Sequence, residues 1–183
     1  MITAAQIVDA LLETGNTVVI RTINPNDLNG IEQVAFRVFG DKFSHEGLVG
    51  YVGQADPSVS YVAECDGKIV GFLLLRRLSL DKVFEDVDYA GNPSWSIEQV
   101  EDLHRYAGRN GVEGIALAVL PEYRGSRGVA LRLLHEIANI GVDHVWFQAA
   151  SSLNNFSFWL KRSRHVATAV GPSKVFIFVR DLA

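Results

Sequence analysis

Residues Glu113–Gly141 read EGIALAVLPEYRGSRGVALRLLHEIANIG, and this stretch decides the fold. Gly114–Leu120 is a continuous apolar run of strand length, the pattern of a strand buried on both faces. Pro121 ends it, because proline has no N–H to give a ladder. A helix is expected from about Gly128: Ala130, Leu133, Leu134, Ile137 and Ala138 recur with the spacing of one helical face. Gly141 stands where a helix C-cap belongs.

Between strand and helix lie Arg124, Gly125, Ser126, Arg127, Gly128, Val129 and Ala130. The glycines let the backbone turn tightly and approach a ligand closely. The first N–H groups of a helix have no partner within it, and the helix dipole is positive there. With two arginines beside them, these features suit a phosphate or pyrophosphate. The other reading of the same residues is a strand–helix corner with glycines for packing and arginines for solubility. The loop is neither G-x-G-x-x-G nor G-x-x-x-x-G-K-[ST].

The chain has 183 residues, 48% hydrophobic and 21% charged, which suits one globular domain spanning 1–183. A formal net charge of −4 argues against a nucleic-acid-binding surface as its main purpose. The single cysteine, Cys65, excludes an internal disulfide and fits a cytoplasmic protein. It reads as structural. No apolar run approaches the ~20 residues that span a bilayer, and no signal peptide is visible at the N-terminus. The five histidines (His45, His104, His135, His144, His165) lack metal-ligand spacing; no metal is expected, and all five read as surface or partly buried.

Along the chain, residues 3–14 read as an extra N-terminal helix within 1–15, which packs on the domain or on a second copy in a homodimer. Thr17–Ile23 is a strand, Asn24–Asp27 a capping turn, and Leu28–Phe39 a helix. Residues 44–55 are a weaker helix. Val59–Cys65 and Lys68–Leu80 are strands joined at Asp66-Gly67, a strong hairpin signal. Residues 81–111 form a long connection with an expected helix at Ser96–Tyr106, suited to substrate specificity or a subunit contact. Asp143–Ala149 is a strand, Asn154–Arg164 a helix, and Val166–Ala169 and Val175–Val179 strands.

Ala118–Gly125 (AVLPEYRG), followed by Gly128-Val129-Ala130 and a Leu-rich helix, resembles the acetyl-CoA-binding motif of the GNAT acyltransferase superfamily. That motif is an apolar strand ending V-x-P-E-Y-R-G, a Q/R-x-x-G-x-G/A loop and a helix. Here Gly125-x-x-Gly128-x-Ala130 keeps the spacing with glycine in the first place. The Asp66–Phe72 segment and the opening Ile20–Phe39 resemble other parts of the same fold, and the element order covers nearly the whole chain. The resemblance implies an α/β (α+β) GNAT fold: a mixed central sheet of six to seven strands, splayed between its fourth and fifth, flanked by helices. Residues 81–111 would then be an insert between the third and fourth strands.

It further implies an acetyl-CoA-dependent N-acyltransferase acting on a small-molecule, peptide or protein amine by direct attack. The pantetheine arm would run along Leu117, Ala118 and Val119, where a strand that loses a neighbour exposes N–H and C=O groups needing partners. An N–H near Leu117 would polarise the thioester. Arg124, Gly125, Ser126, Arg127, Gly128, Val129 and Ala130 would hold the pyrophosphate, with Asn154 on the cofactor arm or capping its helix. Glu113 stands where the histone-acetyltransferase branch carries its general base. Strand alternation puts Glu113 on one face with Leu117; a solvated carboxylate at the strand mouth is its other reading. The segment from His144 to Ala149 offers no glutamate. Trp159 falls at the place of the family's tyrosine general acid, and a non-catalytic CoA-binding module is the alternative function. Phe39, Phe43, His45, Glu46 and Tyr51 fall in the two helices that line the family's acceptor cleft.

Overall fold

A computed structural model describes residues 17–40, 45–85, 96–99, 101–125, 128–150, 163–171 and 174–182. The helices expected at 3–14 and 154–164 lie outside these residues, except for Ser163 and Arg164 at the end of the second.

The elements are β1 (Val18–Thr22), α1 (Leu28–Phe39), α2 (His45–Gln54), β2 (Tyr61–Cys65), β3 (Lys68–Arg77), β4 (Ser96–Gln99), β5 (Gly111–Val119), α3 (Val129–Asn139), β6 (His144–Ala150), β7 (Arg164–Val170) and β8 (Lys174–Asp181). The strands form one sheet ordered β1-β2-β3-β5-β6-β8-β7-β4. Neighbours are antiparallel except β5 and β6, which are parallel.

The first half is built as its sequence suggests. Asp66 and Gly67 both take positive φ (51° and 73°), which the tight β2–β3 hairpin requires. Asn24 and Asp27 close a capping box ahead of α1. Asp27 is buried, and two 2.7 Å bonds from Arg21 pair its charge. The Arg21 guanidinium holds the Asp27 carboxyl below the usual carboxylate range. Ile31, Val34 and Ala35 of α1 and Val129, Leu133 and Ile137 of α3 pack on β2, β3 and β5 in the largest apolar core among the described residues.

The connection after β3 differs from the expected helix. Ser96–Gln99 is β4, paired antiparallel with Ala167–Val170 of β7, and Leu103–Tyr106 is a single 3₁₀ turn. The i, i+3 apolar spacing there is short, and ladder hydrogen bonds at a sheet edge outweigh it. The seven expected strands are therefore joined by an eighth from the insert. β3 ends at Arg77, and Leu80–Glu85 is another 3₁₀ segment. β7 starts at Arg164, where a helix end had been expected. Leu80, Val83, Leu103 and Tyr106 cover Trp146, Val166, Ala167, Ile177 and Val179, forming the second core.

His144 departs from the surface or half-buried place expected of it: it is fully buried at the start of β6. A central strand, the Leu80 turn and the Tyr106 ring enclose it. Its Nε2 accepts the Leu80 N–H at 3.1 Å, so the proton of the neutral ring sits on Nδ1. Burial pushes the imidazole pKa below its ordinary value, and the Arg109 cation adds to this. The folded protein then binds fewer protons than the unfolded chain in the window below about pH 6.5. This contribution is complete above that value and is lost as pH falls. Denaturant titrations from about pH 7.5 to about pH 5 should show an acid loss of up to about 1.4 kcal/mol per pH unit that His144→Gln removes.

Candidate active site

The ladder between β5 and β6 stops partway. Gly111, Val112, Glu113 and Gly114 pair with His144, Val145, Trp146 and Phe147, and there the parallel pairing ends. Both strands continue. β5 runs on to Val119 with β3 as its partner, and β6 runs on to Ala150 with β8 as its partner. Among the described residues Ile115–Val119 therefore has no strand on its β6 side, and Ile115, Ala116 and Leu117 are partly exposed. This is the splay expected between the fourth and fifth strands of the family plan; the insert's strand makes them β5 and β6 here.

Ile115 is also where β5 bulges. Leu75 faces Gly114 and Leu74 faces Ala116, so Ile115 is an extra residue in the ladder. The bulge reverses side-chain alternation beyond it. Glu113 shares a face with Arg76, Leu74, Ala116 and Ala118, while Leu117 and Val119 share the other with Leu73 and Gly71. This corrects the expectation that Glu113 and Leu117 share a face: one inserted residue shifts a period of two. An added Cβ at Gly71 would approach Leu133 Cδ1 at 3.5 Å, so the Leu117 face looks toward α3. Arg76 reaches Gln54 at the end of α2 at 3.2 Å, so the Glu113 face looks toward α2.

Glu113 is 4% exposed. The Arg76 Nε donates to its Oε2, and the Gln148 Nε2 donates to its Oε1 at 2.9 Å. A carboxylate buried this deeply requires such partners. The solvated-carboxylate reading therefore fails, because Glu113 is enclosed at the fork of the two strands. Sequence reasoning missed Arg76, Gln148 and Gln54. A lone amide inside the apolar run Val145–Ala150 was the available signal for Gln148.

Past β5 the chain makes a 3₁₀ turn (Pro121–Tyr123), and α3 begins after Gly128. Gly125 and Gly128 both lie in the left-handed region, at φ 70° and 58°. Gly128 is the N-cap of α3, and no side chain among the described residues caps the helix. The opening amides of α3, from Val129 and Ala130, find no acceptor within the helix itself, an arrangement that suits an anion. Arg124 folds back so that its Nε donates to the Val119 carbonyl at 2.8 Å, bracing loop against strand. Arg37 of α1 ties down the same turn through Glu122 at 2.9 Å. Ser126, Arg127 and Asn154 lie outside the described residues, as do Trp159 and Phe43. His45, Glu46 and Tyr51 are exposed on α2, Phe39 is half-buried on α1, and His45 bonds Glu32. Cys65 is buried, and its thiol bonds Asp66 at 3.9 Å. Among the described residues, no three His, Cys, Asp or Glu side chains converge to hold a metal, and no helix is long and apolar enough to cross a membrane.

Residues 28–159 match the Acetyltransferase (GNAT) family, and the chain belongs to that family. No curated protein sequence matches it. In structure it is similar to Arabidopsis thaliana NAA60 in complex with acetyl-CoA, at 26% identity and TM-score 0.60, over 90% of this chain and 99% of that one. It is also similar to Arabidopsis thaliana Naa50 in complex with the bisubstrate analogue CoA-Ac-MVNAL, at 15% identity and TM-score 0.58, over 89% and 97%. A third likeness is to Drosophila melanogaster polyamine N-acetyltransferase, at 15% identity and TM-score 0.60, over 91% and 100%.

The loop's conformation can be tested without a ligand. An added Cβ at Gly128 meets nothing within 4 Å, so only its positive φ opposes a side chain. Gly128→Ala should cost about 1–2 kcal/mol in a denaturant titration, and Gly128→Asn less, because asparagine tolerates this region.

Proposed function

We propose that the protein transfers the acetyl group of acetyl-CoA to an amine by direct attack on the thioester. The single observation that carries this is the fork, where Ile115–Val119 loses its neighbour while remaining a strand. Main-chain groups without a ladder partner need one. The amides of pantetheine supply it along Leu117, Ala118 and Val119, in the manner of an added strand. The pyrophosphate then lies at the start of α3, against Gly125, Ser126, Gly128, Val129 and Ala130 with Arg124 and Arg127 at its flank. Asn154 holds the cofactor arm.

The thioester carbonyl sits near Leu117, whose region offers a main-chain N–H to the developing oxyanion. The amine lone pair forms the new C–N bond as the C–S bond breaks. Glu113 takes the proton released from nitrogen, and the thiolate leaves and takes a proton from solvent. A free alkylamine is mostly protonated at neutral pH, so a positioned carboxylate accelerates its reaction. No acyl-enzyme is invoked, since the buried Cys65 lies on β2 away from the fork. The acceptor is a small-molecule or peptide amine. The neighbours support both classes, one holding a peptide-bearing analogue and the other forming N-acetylagmatine.

One observation favours a second reading, a module that binds acetyl-CoA without catalysis: both Glu113 oxygens already accept hydrogen bonds. Calorimetric titration with acetyl-CoA, then thiol release across agmatine and the peptide MVNAL, separates the two. The catalytic reading expects micromolar binding (about −8 kcal/mol) and a fall in kcat of about a hundredfold in Glu113→Gln. No binding at millimolar acetyl-CoA would sink both readings, and an unchanged Glu113→Gln rate would remove Glu113 as base.

A further inference from the structure

The last main-chain rung joining β5 and β6 is Gly114–Phe147. One residue later on β6, the Gln148 side chain reaches back across the fork to Glu113 at 2.9 Å. Arg76 holds the same carboxylate from β3, and Gln54 of α2 holds Arg76. Where the backbone ladder gives out, a side-chain bridge across three strands takes over. It lies on the face shared with Trp146, whose indole donates to the Leu78 carbonyl at 2.8 Å.

We propose that Gln148, through Glu113 and Arg76, is a positioning residue that pins the fork and thereby fixes which β5 groups are presented to acetyl-CoA. The inference rests on the reading that acetyl-CoA occupies the opening, but it does not require Glu113 to be a base. The two strands have opposing demands at this point. Each has a ladder partner on its outer side, β3 for β5 and β8 for β6, so neither strand needs another rung to the other, and the bulge at Ile115 disrupts the backbone register where the next rung would form. One more rung would close Ile115, and one fewer would open Gly114. A hydrogen bond to a buried, charge-paired carboxylate is among the stronger local constraints a side chain can impose.

The test uses the full chain with Gln148→Leu, Gln148→Met and Gln148→Glu. In the ligand-free protein, hydrogen exchange should speed up about fivefold or more over Glu113–Leu117 and Phe147–Ala150 in Gln148→Leu, with the β1–β2 pairing unchanged as control. Acetyl-CoA affinity by calorimetry should fall by about fivefold in Gln148→Leu and Gln148→Met. Gln148→Glu sets two carboxyl groups against each other, and they bond again only when they share a proton. Its affinity deficit against the unmodified protein should therefore be large near about pH 8 and mostly gone near about pH 5.5. The Gln148→Leu deficit should be the same at both. Unchanged fork exchange in all three variants overturns the proposal whether or not acetyl-CoA binds. So does a Gln148→Glu deficit that ignores pH. Failure of the unmodified protein to bind acetyl-CoA, with fork exchange still faster in the variants, counts against the cofactor reading and leaves the pin standing.

Discussion

The structure depends on one withheld interaction, the ladder that β5 and β6 do not complete. Four rungs join them, from Gly111–His144 to Gly114–Phe147, and then each strand follows its other neighbour. The sheet is in effect two half-sheets sharing a short parallel seam. Each half keeps its own apolar core. One lies under α1, α2 and α3; the other lies under the insert that carries Leu80, Leu103 and Tyr106. Neither core depends on the missing rungs, so the fork can remain open in the folded state. The bulge at Ile115 adds a local twist at the same place and turns Leu117 and Val119 away from the Glu113 face.

Much of this was legible in the sequence because local and global signals agreed. The apolar run into Pro121, the helical stripe from Ala130 to Ala138 and the Asp66-Gly67 turn each specify backbone geometry directly. The readings that failed were those in which distant partners decide. Ser96–Gln99 has no strong local preference, and β7 supplies the hydrogen bonds that make it a strand. The bulge cannot be read from Glu113–Leu117, because an extra residue shows only against the register of β3. The burial of His144 follows from a turn more than sixty residues earlier, whose Leu80 N–H it accepts. At the site, the tight turn into α3 was legible from its glycines. Arg76 and Gln148 were not, since a carboxylate's partners are set by which strands lie side by side.

Two buried titratable groups on this sheet illustrate opposite answers to desolvation. Glu113 carries its own counter-charge from β3, so it stays an ion-paired acceptor inside the protein. His144 is hydrogen-bonded to no carboxylate among the described residues; burial outweighs the pull of Asp181, Asp143 and Asp81 and favours the neutral ring, its Nε2 lone pair used by a backbone N–H. Both stand in the seam or at its start, where the two half-sheets are joined.

The base of the insert is closed by the rung at Arg77–Val112 and by the Leu78 N–H donating to the Gly111 carbonyl at 3.2 Å. β3 and β5 are thus tied together at the stem, and the segment between them returns to the far edge of the sheet as β4. Ser96–Gln99 pairs with β7, and Leu80, Val83, Leu103 and Tyr106 fill the second core, so exchanging residues 79–110 would uncover that face of the sheet as well as reclose a loop. The register that fixes the fork is written in the strands on either side of the stem, while the insert between them completes the half-sheet beyond the fork.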